Sequence, residues 1–539
     1  MANPREGLKG PEPCPASSPR SPASSLDVWD AELFVLRGAD RHDLVRRAHT
    51  LHSFLGATAD VVLKDLAYSL NAELTPGGSR LALVAGSVAE LQERLTAAAQ
   101  RLADPARAQI KDTLGIYYFD RPLYPDGRLA ILFPGEGAQY LNMLADLYPH
   151  FPEVKQSFDD ADRLADRASQ RHRHAFSRVF LVADDASPDE IMEAERALRQ
   201  LDNAMLSVLL ADWAMFRLLS RLGLKPAAVA GHSIGEMAAL AAAGCIDGTA
   251  LVLEQIVASI KTLLSKETGG EMPGAVLLAV GAGKDLVGKI IGDSPGRGVF
   301  LAMDNCPHQS VVVGPATQMA AVEADLQARR ILCERLPFDR PYHTPLFEPY
   351  LGALHELFRT IAFRPAHTAI YSCSTGRLFP PEPAAIRLQA VEHYATAVEF
   401  TRLIDNMHAD GVRLFVESGP RGNLTAFVED ILRGKTFAAL ASNLPRRSGV
   451  TQLNHLAGQL AAHHVPLDLD HLYRRRSPKP VSWAPTKSFP VAVALSTNGH
   501  TAEAMAVGSG VPSATAADLP ALETPADGRG AVVAQYLAV

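Results

Sequence analysis

The stretch that most constrains the fold is residues 229–243, VAGHSIGEMAALAAA. A short apolar run, residues 226–230, passes through Gly231-His232-Ser233-Ile234-Gly235 into an alanine-rich segment that Gly244 is placed to cap. A strand that turns this abruptly into a helix points to a largely parallel sheet, since the helix must carry the chain back before the next strand. Gly-x-Ser-x-Gly in that setting is the pattern of a nucleophile elbow. Its small residues permit a sharp turn that exposes Ser233 Oγ at a helix N-terminus, where the dipole favours developing negative charge. The bare pattern also fits an ordinary turn; the flanking strand and helix favour the nucleophile.

The same alternation runs through much of the chain. Residues 128–133 (RLAILF) read as a buried strand ending in Pro134-Gly135-Glu136-Gly137-Ala138-Gln139. Residues 202–222 form a helix whose apolar face includes Leu206, Leu209, Leu210, Trp213 and Leu219. Further on come a helix over 345–361 and a strand over 413–417. Between 274 and 336 the rhythm changes to strand 275–280, helix 284–291, strands 299–303 and 310–314, helix 316–329 and strand 333–336. That β-α-β-β-α-β order is ferredoxin-like. Upstream, strands 31–37 and 80–85 alternate with helices 40–55 and 87–99, the latter opened by Ser87-Val88-Ala89-Glu90 as a capping box. Downstream lie an amphipathic helix over 451–463 and an extended segment over 478–490.

The expected fold is therefore α/β: a hydrolase-like core with a largely parallel sheet and a nucleophile elbow, an inserted ferredoxin-like subdomain and an N-terminal small α/β domain. The expected division is a disordered segment 1–26, the small α/β domain 27–110, a large subdomain built from 128–270 and 338–445, the ferredoxin-like subdomain 271–337, a trailing linker 446–491 and a flexible tail 492–539.

Charge and cysteine usage exclude several classes. The 52 Lys+Arg against 59 Asp+Glu leave a net charge of −7, which gives no reason to expect nucleic acid. The runs Arg171-His172-Arg173-His174 and Arg474-Arg475-Arg476 lack interleaved aromatics and read as solvated surface. Five scattered cysteines without a C-x-x-C fit reduced thiols, and His172, His174, His463 and His464 have no ligand spacing, so no metal is expected. No uninterrupted apolar run is long enough to span a membrane, and the Pro/Ser-rich start has no apolar core of a signal peptide. A cytoplasmic protein is expected.

A serine nucleophile needs a base and donors for an oxyanion. The best base candidate is His343, in the Pro-flanked turn Arg340-Pro341-Tyr342-His343-Thr344-Pro345. Taken alone it fits a structural histidine as well. Elbow mechanics offer two backbone donors, the N–H of Ile234 after the serine and that of Glu136 in the glycine loop. Taken alone, Gly135-Glu136-Gly137 also fits a plain turn.

Those motifs, with Glu417-Ser418-Gly419-Pro420, stand in the order and spacing of one family. Over residues 33–490 the chain resembles the malonyl-CoA:ACP transacylase-like acyltransferase domains of type I polyketide and fatty-acid synthases, with their flanking linkers. The loop after residue 133 and the stretch Met303-Asp304-Asn305-Cys306-Pro307-His308-Gln309 resemble in particular iterative synthases of the enediyne or polyunsaturated-fatty-acid kind. The resemblance implies an acyl-CoA donor, an acyl-enzyme on Ser233, and His343 as base and then acid. It also implies transfer to the phosphopantetheine thiol of an acyl carrier protein, with no bound cofactor and with a ketosynthase or other synthase modules as partners. The family orients its histidine through a backbone carbonyl, which maps to His393, and its substrate-contacting positions map to His232, Ala258, Asn305 and Tyr342.

Two departures stand out. The loop carries Glu136 where the family usually has Gln, a change its backbone role tolerates. The arginine that grips a malonyl or methylmalonyl carboxylate falls, counted from Ser233, on Ala258. Losing such a buried pair costs about 2–5 kcal/mol, so a non-carboxylated acyl unit is expected. Lys261 could stand in for the arginine, or a local gap could restore Arg340 or another cation, which leaves a malonyl-specific transferase open. An acyl-carrier editing hydrolase and a non-catalytic docking module are also compatible with these motifs.

Overall fold

The computed structural model describes residues 26–483 apart from 169–176, 178–179, 184, 250–251, 253–254, 258–273, 293–297 and 338. Ala258, Lys261, nearly all of the N-terminal segment and the tail lie outside the described residues. Along the chain the strands are β1 (Glu32–Gly38), β2 (Ser79–Ala85), β3 (Gln109–Lys111), β4 (Ile116–Phe119), β5 (Arg128–Phe133), β6 (Ala228–Gly231), β7 (Ala275–Val280), β8 (Phe300–Cys306), β9 (Gln309–Pro315), β10 (Cys333–Arg335), β11 (Ala369–Tyr371), β12 (Val398–Glu399), β13 (Val412–Glu417) and β14 (Ala438–Ala441).

The core sheet has the order β11-β6-β5-β13-β14 and every pair is parallel. Its strands are apolar throughout because both faces are covered. Leu129, Ile131 and Phe133 enter one cluster with Leu209 and Leu218 of the helix Leu201–Arg221. Their neighbours Ala130 and Leu132 enter another with Phe400 and Phe427, from the helices Phe400–Ala409 and Asn423–Ile431. β5 is thus flanked by the branch leading to β6 and β11 and by the branch leading to β13 and β14. In such sheets ligands collect beyond the strand ends, where the direction of winding switches.

The second sheet runs β10-β7-β9-β8, antiparallel at each pair, as a β-α-β-β-α-β unit requires. The two-residue β12, from the large subdomain, adds itself parallel to β8. The inserted unit therefore shares a sheet with its host.

The N-terminal sheet has the order β1-β2-β4-β3 and extends to Phe119, past the expected edge at residue 110. The helix Leu63–Ala72 was not anticipated; its Asn71 amide fastens β1 through Val35 N–H and Leu33 C=O. At Ser87 only half of the anticipated box forms. Ser87 Oγ accepts from Glu90 N–H, but the Glu90 carboxylate accepts from Gly86 instead; the reciprocal box is at Ser187 and Glu190. The anticipated 345–361 helix divides into a 3-10 turn, Pro345–Tyr350, and an α-helix, Leu351–Thr360. Pro349 has no N–H to carry a regular helix through the junction.

The trailing segment folds back on this N-terminal unit. The helix Gly449–Ala462 packs across β1, β2 and β4, with Asn454 Nδ2 donating to Ala31 C=O at 2.7 Å. Arg476 makes a buried ion pair with Glu32 and lies 3.9 Å from the centroid of the Trp29 ring, and Trp483 Nε1 donates to Glu73.

Candidate functional site

The elbow is tight because three glycines leave no room for a side chain. A Cβ on Gly231 would sit 2.2 Å from Glu236 N, and one on Gly235 would sit 2.3 Å from Phe133 O. One on Gly135 would fall 2.5 Å from His232 O, so the loop after β5 lies directly on the elbow after β6. Ser233 has φ +53°, a left-handed backbone that costs a non-glycine residue about 1–3 kcal/mol and persists only where packing dictates it. The buried helix Gly235–Ala242 begins two residues later.

His343 stands in the loop after β10, also with positive φ, and its N–H donates to Tyr394 C=O at 2.7 Å. Its ring lies between two partners: Nε2 is 2.7 Å from Ser233 Oγ, and Nδ1 is 2.9 Å from His393 C=O and 3.3 Å from Thr396 C=O. A carbonyl only accepts, so Nδ1 carries the proton and Nε2 is free to accept from the serine hydroxyl. Burial holds the His343 imidazole down to about 4, against weaker support from the His393 carbonyl. It is therefore neutral at physiological pH, the form a base requires. Thr396 was missed in the sequence because a backbone carbonyl has no residue-type signature.

Ile234 and Glu136 line the cavity together with Ser233 and His343, and their N–H groups have no backbone acceptor among the described residues. Beneath the elbow, Glu236 is fully buried, 3.6 Å from His393 Nδ1 and within 3.4 Å of Cys373 Sγ; burial pushes its carboxyl up to about 7. The His393 ring is held neutral by burial and bonds Ala390 C=O.

His232 and Asn305 meet directly, Nε2 to Oδ1 at 2.7 Å, with Asn305 Nδ2 donating to Gln309. Burial lowers the His232 pKa. This chain of amides ties the elbow to the ferredoxin-like sheet. Together Glu136, Met205, His232, Ser233, Ile234, Leu277, Met303, Leu336, Tyr342, His343 and Tyr394 enclose a narrow cavity of about 30 Å³. Tyr342 presses on Phe347, and its buried hydroxyl has no partner among the described residues. The sequence had not indicated Met205, Leu277 or Leu336, which come from three separate elements. Ala258 lies outside the described residues. Among the described residues no group of histidine, cysteine and carboxylate side chains could hold a metal, and no helix is long and apolar enough to cross a membrane.

A parallel α/β core with a serine on a strand–helix elbow and a histidine against it is the arrangement of enzymes that use a serine nucleophile. The chain belongs to the acyl transferase domain family, whose model matches residues 131–465. It is 28% identical over 360 residues to a polyunsaturated fatty acid synthase of Thraustochytrium sp., covering 66% of this chain and 12% of that protein. To polyketide synthase GfsA of Streptomyces halstedii it is 27% identical over 458 residues, 83% of this chain and 6% of that one. The chain thus spans a small part of these relatives. The solved acyl transferase domain of ZmaA superposes with a TM-score of 0.70 at 20% identity, covering 85% of this chain and all of that one. The acyltransferase domain of an iterative polyketide synthase of enediyne biosynthesis gives 0.60 at 20% identity over 83% and 99%. These likenesses establish the shared fold.

Proposed function

We propose that this chain moves an acyl group from acyl-CoA, through an ester on Ser233, to the phosphopantetheine thiol of an acyl carrier protein. The observation that carries the reading is the aligned set Ser233 Oγ, His343 Nε2 and His393 C=O, at 2.7 and 2.9 Å. His343 Nε2 takes the hydroxyl proton as Oγ attacks the thioester carbonyl, and the N–H groups of Ile234 and Glu136 receive the oxyanion. The carbon–sulfur bond breaks and the coenzyme A sulfur leaves with that proton. In the second half the carrier thiol gives its proton to Nε2 and attacks the ester, and the proton returns to Ser233 Oγ. Each half exchanges one acyl bond for another, so no cofactor is consumed.

The Ala258 substitution and the apolar side chains Met205, Leu277, Met303 and Leu336 around the cavity favour a non-carboxylated acyl unit. Relatives named as polyketide and polyunsaturated fatty acid synthases support a place in such a synthase, and the proposed partners are a carrier protein and ketosynthase modules, in the cytoplasm. The test is intact-protein mass spectrometry after brief exposure to acetyl-, butyryl-, malonyl- and methylmalonyl-CoA, with Ser233→Ala alongside. An acyl adduct from the non-carboxylated thioesters, absent in the variant, is expected. An adduct from malonyl-CoA alone would keep the transferase and refute the acyl selectivity; no adduct from any of the four would refute both.

A further inference from the structure

Glu136 lines the same cavity as Ser233, His343 and Tyr342, and its carboxyl lies close enough to the Tyr342 hydroxyl for its charge to help raise that group's pKa. The residue as a whole is half-buried, but its Oε1 is shut off from solvent and has no hydrogen-bond partner among the described residues. A carboxyl left in this state is unusual, because a buried polar oxygen without a partner forfeits its solvation. No lysine or arginine is among the described residues lining the cavity. Arg340, the nearby guanidinium, is paired with Asp339 at 3.1 Å and does not line it.

We infer that Glu136 is the acyl-selecting side chain of this site: it admits a neutral acyl group in either of its protonation states, but a free acyl carboxylate only while it holds its proton. The inference rests on the acyl-transfer reading above and assigns its substrate class. With no cation among the described lining residues, two carboxylates in this cavity repel each other, and one takes up a proton. Loading a carboxylated acyl group is therefore coupled to protonation of Glu136, and loading of a simple acyl group is not. Any effect of the Glu136 charge on the oxyanion is common to both thioesters and cancels in their ratio.

Burial, helped by the negative charge of Asp339, pushes the Glu136 carboxyl up to about 8. Among the described residues, the other ionisable groups around it are Asp339, whose charge acts on it and which pairs with Arg340, and the cavity-lining Tyr342, His343, His232 and Tyr394. Burial keeps both tyrosines protonated and both histidines neutral across neutral and mildly alkaline pH. Among the described residues lining the cavity, Glu136 is then the group that titrates there. Its protonated fraction falls about tenfold between about pH 7 and about pH 9.

The experiment measures initial rates of Ser233 ester formation from malonyl- and acetyl-CoA over that range, in the wild-type chain and in Glu136→Gln, with circular dichroism to verify folding. The malonyl-to-acetyl ratio should fall about tenfold in the wild type and stay level in the variant. Glu136→Leu, which also lacks the titrating group, serves if the glutamine variant loses its fold. A level ratio in the wild type, an equal fall in both proteins, or acetyl but no malonyl ester in either would overturn the role of Glu136. Absence of any ester from both thioesters would instead overturn the acyl-transfer reading beneath it.

Discussion

The acid limb of the activity profile tests the arrangement around His343 directly. Its Nδ1 proton goes to a carbonyl at 2.9 Å, not to a carboxylate, so among the described residues no carboxylate bonds the ring to hold an imidazolium, and burial dominates. The result is a group held down to about 4. At about pH 5.5 an ordinary histidine is neutral in about a tenth of molecules, whereas His343 is neutral in nearly all, a difference of about tenfold in the rate of Ser233 acylation. Glu236 and Glu136, pushed up to about 7 and about 8, have largely taken up their protons before this window opens. Stability moves in the same window. The folded value lies below the unfolded one, so the unfolded chain binds more protons between them. The His343 contribution to stability is therefore complete above about pH 6.5 and falls as the pH drops towards about 4, by about 1 kcal/mol at about pH 5.5, while Glu136 and Glu236, whose folded values are raised, contribute in the opposite sense. The assay is the initial rate of ester formation at sub-saturating acetyl-CoA, read by intact mass between about pH 8 and about pH 5, with the folded fraction followed by circular dichroism at each point. A rate that falls with a midpoint near 6.5 in chain that remains folded would refute the reasoning. It would mean that a carboxylate reaches the imidazole.

Two further substitutions test the frame around the site. His393→Asn keeps the main-chain carbonyl that His343 uses, so acylation should stay within about threefold of wild type; a hundredfold loss would show that the imidazole ring of His393 itself is required. Arg476→Ala removes the partner of Glu32, a buried carboxyl whose pKa burial already raises. Thermal unfolding should show a loss of about 3–5 kcal/mol, and an unchanged melting temperature would argue against the trailing segment being part of the folded body.

Strand-to-helix alternation, the glycine-serine elbow and the glycine loop are local patterns, and they were legible because each depends on neighbours within a few residues. The core strands around residues 128–133 and 413–417 and the β-α-β-β-α-β insert could be placed from period and turn residues alone. Short strands could not: β11, β12 and β14 hold two to four residues, too few for a period, and exist only because a longer strand offers its edge. The division at residue 110 failed for the same reason, since β4 is defined by pairing with β2 and β3.

Residue chemistry in the sequence was enough to nominate Ser233 and His343, because nucleophile and base require particular side chains. Only the tertiary structure decided that they meet at 2.7 Å across a separation of 110 positions, which of the histidines takes the serine, and that Thr396 stands beside His393 as a second acceptor. The Glu136 side chain shows the difference most clearly. Its identity is plain in the sequence, yet its significance comes from a buried oxygen without a partner among the described residues and from the cavity it shares with Ser233. Those properties arise from atoms brought together by other parts of the chain, and no local pattern encodes them.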